Sequence, residues 1–236
     1  MLSIKNFTAV VGDFKLSGNL EIGAGQIVGI LGPSGSGKST LLSVIAGFQP
    51  LESGEITWVS QPIGGLAPAQ RPMTILFQDN NLFPHLTAFQ NIALGISPSL
   101  KLTAGNNDRV MGALDQTGLV DLRDRRPNEL SGGQQSRVAL ARSLVRERPL
   151  LLLDEPFAAM GPGLKSEMLE LVRALTSANG TTVLMVTHDP ADAKAICKSC
   201  VVVSDNQVTG PFETGQLLAN PPPSLQAYLG NKIAGH

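Results

Sequence analysis

Cysteine, aromatic residues and long apolar runs are all scarce in this chain. Its 236 residues include two cysteines, and aromatic residues make up 4% of the total. Two cysteines are too few for the disulfide framework of a secreted domain, so we expect a reducing compartment. No apolar run reaches the roughly 18 residues of a membrane-spanning helix, and the first residues do not resemble a signal peptide. Work at a membrane would therefore require a partner that holds the chain there.

Excess charge of either sign is also missing. The chain has 18 Lys and Arg against 19 Asp and Glu, which gives a formal net charge of -1. Because binding of nucleic acid needs a concentrated basic surface, this balance predicts that nucleic acid is not a partner. The length suits one α/β domain, with or without an inserted subdomain.

The two cysteines, Cys197 and Cys200, have the C-x-x-C spacing that also occurs in redox and metal sites. No second pair of Cys or His residues is present to complete a zinc site. The alternative is that both side chains pack where a predicted helix ends and the apolar run 201–203 begins, and we favour this interpretation.

Apolar residues recur with the periods of strands and helices that alternate along much of the chain. The predicted strands are residues 2–11, 14–22, 26–31, 54–59, 73–77, 150–154, 182–187 and 200–204. The predicted helices are residues 38–47, 87–96, 107–118, 132–147, 161–178 and 189–198. This alternation indicates an α/β fold with a parallel sheet covered by helices. Pro, Gly and Asn breaks between about 81 and 130 indicate an inserted helical subdomain, and the prolines at 221–223 begin a short tail over about 220–236.

A glycine-rich segment between a predicted strand and a predicted helix fits the pattern G-x-x-x-x-G-K-[ST]. It consists of Gly32, Pro33, Ser34, Gly35, Ser36, Gly37, Lys38, Ser39 and Thr40. Backbone N–H groups of such a turn surround phosphate oxygens, and the helix N-terminus adds partial positive charge. Lys38 is expected to reach the β- and γ-phosphates of ATP, and Ser39 to be a ligand of Mg²⁺. A chance glycine-rich turn would not combine the strand, the helix, the Lys and the Ser.

Two carboxylates, Asp154 and Glu155, follow four consecutive leucines. The leucines suit a parallel strand buried on both faces, and ligands bind at the carboxyl ends of such strands. Asp154 is therefore a candidate to hold Mg²⁺, and Glu155 a candidate general base for the attacking water. The alternative is an acidic turn without function, which the phosphate loop makes remote.

A second glycine turn, residues 130–134, precedes the predicted helix 132–147. Its candidate contacts to phosphate are Ser131, Gly132, Gly133 and Gln134. A Ser-Gly-Gly turn at a helix N-terminus binds anions, yet one chain has one triphosphate site. The phosphate for this turn is therefore expected to come from a second copy of the chain that faces the first head to tail.

With these motifs the sequence resembles the ABC ATPase family over nearly its whole length. Five motifs follow the family order, the remaining two being Gln78 after strand 73–77 and His188 after strand 182–187. The resemblance implies the ABC cassette of the P-loop NTPases, as a single domain over 1–236 with a mainly parallel core sheet, an N-terminal antiparallel β subdomain and the inserted helical subdomain. It also implies a homodimer that encloses two ATP molecules.

The resemblance supplies roles that the residues alone do not. It implies that Gln78 contacts Mg²⁺ and the attacking water, and that His188 bonds the γ-phosphate and positions the water with Glu155. It also implies that Ser131 and Gly133 touch the γ-phosphate bound by the other subunit. Without the family pattern, Gln78 would be interpreted as a surface residue and His188 as a structural one.

Two positions depart from the family pattern. The family usually has Ser-Ala-Leu-Asp where this chain has Ala-Ala-Met and then Gly161, so a carboxylate is missing from the expected dimer seam. Many relatives also carry an aromatic residue near the N-terminus that stacks on adenine. Here Phe14 either fills that role or belongs to the core.

Among ABC proteins the chain is most similar to ATPase subunits of bacterial importers, in particular those for thiamine. The similarity is carried by residues 76–87, 90–95, 98–102 and 139–147, including the double Asn at 80–81. It implies a separate membrane permease, a periplasmic solute-binding protein that delivers thiamine or its phosphates, and a place on the cytoplasmic face of the inner membrane. Residues 82–85 are either a groove for a permease helix or ordinary core.

Three other interpretations remain open at the level of sequence. The same enzyme could serve an importer of polyamines, iron or molybdate. A soluble ABC protein of translation or DNA repair would usually have two cassettes or a long coiled-coil insert, and this chain has neither. A regulatory subunit that binds ATP but hydrolyses it weakly is favoured by Gly161 and disfavoured by Glu155 and His188.

Overall fold

Ten strands form one continuous sheet in the computed structural model, which describes residues 1–233 apart from the side chains of residues 227 and 230–233. The strands are β1 (Leu2–Val11), β2 (Phe14–Ile22), β3 (Ile27–Leu31), β4 (Ser53–Trp58), β5 (Gln61–Pro62), β6 (Met73–Leu76), β7 (Leu150–Asp154), β8 (Thr182–Val186), β9 (Ser199–Ser204) and β10 (Gln207–Glu213). The helices are α1 (Lys38–Ala46), α2 (Ala88–Ala93), α3 (Ala104–Gln116), α4 (Gly132–Leu144), α5 (Pro162–Ala178), α6 (Pro190–Ile196), α7 (Thr214–Ala219) and α8 (Pro223–Ile233).

The sheet has the order β5-β4-β1-β2-β10-β9-β3-β8-β7-β6. Strands β9, β3, β8, β7 and β6 run parallel, which confirms the predicted parallel sheet. Strands β5, β4, β1 and β2 pair with one another in antiparallel fashion, as the family resemblance implied, and β2 pairs in parallel with β10 on its other side. The parallel strands β3 and β8 are buried along their whole length, because helices cover both faces of this part of the sheet.

Three apolar clusters form the interior. One lies between the antiparallel strands, α1 and one face of the parallel strands, and another lies on the opposite face beneath α5, α6 and α8. The third joins α2, α3 and α4. Val138, Ala141 and Val145 take part in the third cluster, so α4 and the residue after it pack against α2 and α3.

The C-terminal part of the chain contains structure that the sequence patterns did not reveal. Strand β10 connects the two halves of the sheet, although Gly210 and Pro211 interrupt its apolar pattern and its register shifts between Thr209 and Phe212. The predicted short tail contains the helix α8, whose Leu225 and Leu229 are buried in the second cluster. The last three residues of that predicted tail lie outside the described residues.

Both cysteines pack in the interior. Cys197 ends α6, Cys200 lies in β9, and both are buried. Burial raises the pKa of each thiol above its ordinary value, so both stay protonated and behave as small apolar side chains. Among residues 1–233, every helix is too short or too polar to cross a bilayer.

Arg71 fastens the C-terminal end of α1, the helix that follows the phosphate loop. Its guanidinium is 3% exposed and donates to the carbonyl oxygens of Val44 at 2.8 Å and Ile45 at 2.6 Å. It also donates to the carbonyls of Gly64 at 2.8 Å and Leu66 at 3.1 Å. The bonds to Val44 and Ile45 add a charged donor to carbonyls in the last turn of α1, and the positive charge suits the negative end of the helix dipole.

We expect Arg71→Met to lower the free energy of unfolding by about 3 kcal/mol, because several buried carbonyls then lose a charged donor. Urea denaturation followed by circular dichroism measures this change. The matched control is Arg123→Met, since the Arg123 side chain is 52% exposed and pairs with Asp124, whose side chain is 84% exposed. Equal destabilisation by the two substitutions would contradict the role assigned to Arg71.

Candidate active site

Four parallel strands end at one edge of the sheet, and each is followed by predicted site residues. Strand β3 leads into the phosphate loop, β6 is followed by Gln78, β7 ends at Asp154, and β8 is followed by His188. Carboxyl ends of parallel strands are where open α/β sheets bind ligands. The order of the strands in the sheet, rather than their order along the chain, brings these residues to a common edge.

The phosphate loop is shaped by a close approach of Phe14. Gly37 has a φ of 102°, and a Cβ atom there would lie 2.7 Å from the ring of Phe14. Only glycine fits this position. Gly37 is the N-cap residue of α1, which begins at Lys38, and no side chain caps this end of the helix. The first N–H groups of α1 therefore have no side-chain acceptor at Gly37, which is the arrangement that accepts a phosphate.

Lys38 folds back over the loop. Its side chain is 7% exposed overall, and its Nζ donates to the carbonyl oxygens of Gly32 at 2.9 Å and Pro33 at 2.7 Å. Ser36 supplies a second sign of an anion site, because its Oγ is buried and finds no hydrogen-bond partner among residues 1–233. A buried hydroxyl without a partner is costly, and a phosphate oxygen would satisfy it. Loop, lysine and hydroxyl therefore fit a triphosphate.

Ser39 and Asp154 meet across the site. The Ser39 Oγ donates to Asp154 Oδ1 at 3.1 Å. Burial raises the pKa of Asp154 above its ordinary value, and the negative charge of Glu155 also raises it. The hydrogen bond from Ser39 and the positive charge of Lys38 lower the pKa but do not cancel the rise. At such sites Mg²⁺ usually has one or two oxygen ligands from the protein, and phosphates and water supply the remaining ligands. The two residues therefore fit that ion.

Glu155 and His188 form a hydrogen-bonded pair. His188 Nδ1 lies 3.1 Å from Glu155 Oε2, although 33 residues separate them in the chain. Glu155 has a φ of 47°, a conformation that is uncommon outside glycine, and its N–H donates to the carbonyl of Val186 at 3.2 Å. The turn after β7 thus directs Glu155 toward β8 and toward the histidine that follows it.

Three residues that the sequence patterns did not single out surround His188. Lys165 in α5 bonds Asp189 Oδ2 and Asp192 Oδ1, each at 2.9 Å. Asp192 also accepts from Thr187 Oγ1 at 2.7 Å. The third residue is Tyr228 of α8, whose hydroxyl donates to the carbonyl oxygen of His188. None of the three lies in a recognisable motif, so only the folded chain reveals them.

Gln78 is exposed two residues beyond the end of β6. The next residues form a tight turn in which Asn80 and Asn81 both have positive φ, at 45° and 47°. Arg142 of α4 donates to their carbonyl oxygens at 2.6 Å and 2.8 Å, and Asn80 Nδ2 donates to Ser136 Oγ at 3.0 Å. The segment after Gln78 is therefore attached to α4 at two points, Ser136 in its second turn and Arg142 in its last turn.

The second glycine turn forms the N-terminus of α4. Ser131 caps the helix by accepting from the Gln134 N–H at 3.3 Å, and the Gln134 side chain accepts from the Ser131 N–H at 2.9 Å. Gly133 packs closely against α5, since a Cβ atom there would lie 2.7 Å from the end of the Leu164 side chain, which would have to shift. Ser131 and Gly132 are exposed, and neither lines the cleft at the chain's own phosphate loop.

An open cleft of about 460 Å³ lies against the phosphate loop. Val11, Phe14, Lys38 and Glu155 are among the side chains that line it. Phe14 both lines the cleft and packs against the apolar cluster beneath, so the two roles considered for it are compatible. Val11 is 44% exposed beside it and offers an aliphatic surface to a bound base.

Gly161 lies at the N-terminal cap of α5 and provides no side-chain cap. A Cβ atom at this position would have nothing within 4 Å, so the missing carboxylate leaves open space rather than a repacked contact. In the segment before α2, Leu82 packs between two apolar clusters, whereas Phe83 is 47% exposed and contacts the ring of His85.

Comparisons with known proteins agree with this geometry. A family model described as "ABC transporter" matches residues 17–158. The chain is 53% identical over 230 residues to the thiamine import ATP-binding protein ThiQ of Ruegeria sp., which covers 98% of this chain and 100% of the relative. It is 48% identical over 217 residues to the protein of the same name from Photobacterium profundum, covering 92% of this chain and 90% of the relative.

A solved structure has the same fold. It is described as the dimeric structure of a post-hydrolysis state of the ATP-binding cassette MJ0796 bound to ADP and Pi. The match has a TM-score of 0.76 at 32% sequence identity, and it covers 91% of this chain and 99% of the other.

Proposed function

Because the chain belongs to the ABC transporter ATPase family, we propose that it is the ATP-hydrolysing subunit of a bacterial importer that takes up thiamine and its phosphates. The observation that carries the ATPase part of this proposal is the Glu155–His188 pair at the edge of the sheet that also holds the phosphate loop. The cargo rests on relatives of nearly full length that bear the thiamine import name.

Binding of ATP is assigned to the loop of residues 32–40. The triphosphate replaces the carbonyl partners of Lys38 and gives the buried Ser36 hydroxyl an acceptor. Ser39, Asp154 and Gln78 would hold Mg²⁺, which would supply positive charge to offset the negative charge on the phosphates. Separation of the Ser39–Asp154 hydrogen bond would leave both oxygens facing the phosphates.

Hydrolysis is assigned to Glu155, His188 and Gln78. The Glu155 carboxylate accepts a proton from the attacking water, and its bond to His188 Nδ1 directs the carboxylate toward the end of the phosphate loop. The pairing of His188 Nδ1 with Glu155 places the imidazole ring beside the general base, and we assign the ring to contact the γ-phosphate and to position the water. Gln78 follows β6, which is the neighbour of the strand that ends at Asp154, and is assigned to orient the water.

A second copy of the chain completes each site in this proposal. The helix N-terminus at Ser131–Gln134 is exposed at Ser131 and Gly132 and does not line the cleft of its own chain. Across a homodimer interface it would meet the γ-phosphate bound by the other subunit. The dimeric structural neighbour bound to ADP and Pi supports this arrangement. Gly161 leaves the seam without one carboxylate, and Ser131, Gly132, Gly133 and Gln134 then carry the contact.

The importer would place this subunit on the cytoplasmic face of the inner membrane, against a separate permease that receives cargo from a periplasmic binding protein. Three exposed aromatic residues suit the contact with the permease. Phe83 is exposed beside His85, and Phe48 contacts Phe77 with ring centroids 6.1 Å apart. Exposed apolar side chains of this kind accept a helix from a partner protein.

The cargo assignment predicts that deletion of the gene abolishes uptake of labelled thiamine at low external concentration. The intact chain should restore uptake, and the Lys38→Ala chain should not. The matched control is Lys101→Ala, an exposed lysine outside the site, which should restore uptake fully. Unchanged uptake in a host without another thiamine route would overturn the cargo and leave polyamine, iron and molybdate importers as candidates, while the ATPase assignment would stand.

A further inference from the structure

The peptide group that follows His188 is held from both sides. Its carbonyl oxygen accepts a hydrogen bond from the Tyr228 hydroxyl, and its N–H, which belongs to Asp189, donates to Thr187 Oγ1 at 3.0 Å. Thr187 is in turn bonded to Asp192 at 2.7 Å. With both polar atoms of the peptide engaged, its plane cannot rotate without breaking a hydrogen bond.

Tyr228 reaches this peptide from a distant part of the chain. It lies on α8, 40 residues after His188, and its ring packs on the apolar cluster that contains Leu225 and Leu229. The ring therefore has a fixed position, and the hydroxyl is its polar end. Burial, with smaller contributions from Glu155, Asp189 and Asp192, raises the pKa of Tyr228 to about 12. The hydroxyl thus keeps its proton and remains a donor.

We propose that Tyr228 is a positioning residue for His188, and that α8 belongs to the scaffold of the active site. The proposal rests on the function assigned to His188 above. The orientation of the His188 ring depends on the backbone that carries it, and the ring must place Nδ1 near Glu155 Oε2, at 3.1 Å in this structure. Loss of the Tyr228 hydrogen bond frees one side of the peptide and lets the ring leave this arrangement more often.

Lys165 also holds the segment around His188, but its contacts differ from those of Tyr228. Lys165 bonds the carboxylates of Asp189 and Asp192 and so fixes the start of α6. The Tyr228 hydroxyl instead donates to the carbonyl of His188 itself. Removal of the tyrosine hydroxyl should therefore alter the histidine while α6 remains in place.

Tyr228→Phe tests the proposal, because it removes the hydroxyl and keeps the ring in the apolar cluster. ATP hydrolysis by the purified full-length chain should show a kcat about fivefold lower, with KM for ATP unchanged. The melting temperature should stay the same, which excludes loss of fold as the cause. Ser224→Ala, which removes a hydroxyl from the same helix, is the matched control and should leave kcat unchanged.

A double-mutant cycle separates positioning of His188 from a merely structural role. In a His188→Ala background the Tyr228→Phe substitution should change the residual rate by less than about 1.5-fold, because the ring that Tyr228 positions is already absent. Equal losses in both backgrounds would overturn the proposal in favour of a structural role. So would a wild-type kcat in Tyr228→Phe when His188→Ala is strongly impaired. If His188→Ala itself kept the wild-type kcat, the assigned role of His188 would fail first, and the inference with it.

Discussion

Glu155→Gln is expected to lower the rate of ATP hydrolysis by about 10²- to 10⁴-fold while ATP still binds. The amide preserves the size of the side chain and can still pair with His188, but it cannot accept a proton from water. Binding should not depend on this side chain, since the anion contacts are assigned to Lys38 and Ser36. Single-turnover release of labelled phosphate measures the rate, and nucleotide retention on a filter measures binding.

The same substitution should make the dimer visible. If each ATP joins two chains, a variant that binds but hydrolyses slowly should elute as a dimer with Mg-ATP and as a monomer without nucleotide. Glu167→Gln is the matched control, because Glu167 is 65% exposed and forms only a surface pair with Arg137 among the described residues. Hydrolysis at the normal rate by Glu155→Gln would show that another group is the base.

Lys38→Ala should act at the earlier step and prevent binding. Its Nζ already donates to the carbonyls of Gly32 and Pro33, so it lies at the centre of the loop where phosphate oxygens are expected. Hydrogen bonds to charged groups contribute about 1.5–3 kcal/mol each, so loss of the ammonium should weaken ATP binding by roughly 10- to 100-fold or more. Hydrolysis should then fall to background.

Equilibrium binding of a fluorescent ATP analogue distinguishes this result from that of Glu155→Gln. Lys101→Ala again serves as the control for removal of a positive charge elsewhere on the surface. A Lys38→Ala chain that bound ATP with normal affinity, while losing hydrolysis, would move Lys38 from binding to stabilisation of the reacting phosphate.

The regular part of the fold could be predicted from the sequence because its signals are local. Buried parallel strands such as β7 and β8 are continuous apolar runs, and helices such as α5 have their own periodicity. Strand β10 was missed because Gly210 and Pro211 resemble a turn, and only pairing with β9 and β2 stabilises it. Helix α8 was missed because it begins in a run of prolines and depends on tertiary packing of two leucines.

The candidate site shows the same difference between residues marked by local sequence patterns and residues brought together by the fold. The phosphate loop is contiguous, so its residues could be named from sequence, and the carboxylates followed from an apolar strand. The contact between Glu155 and His188 requires two strands to be neighbours in the sheet, which local patterns do not specify. Lys165 and Tyr228 are single residues outside any motif, and nothing short of the folded chain reveals that they hold the segment around His188.

The attachment of residues 79–81 to α4 has a mechanical consequence. Arg142 and Ser136 hold that turn, and both belong to the helix whose capping residue is Ser131. A helix is stiff along its axis, and the eleven positions from Ser131 to Arg142 span about 16 Å. If a partner displaced this turn, α4 would move as a rigid rod, and Ser131 at its N-terminus would move with it. In the proposed dimer, a force that the permease applied to this turn would reach the nucleotide bound by the opposite subunit without deforming the phosphate loop.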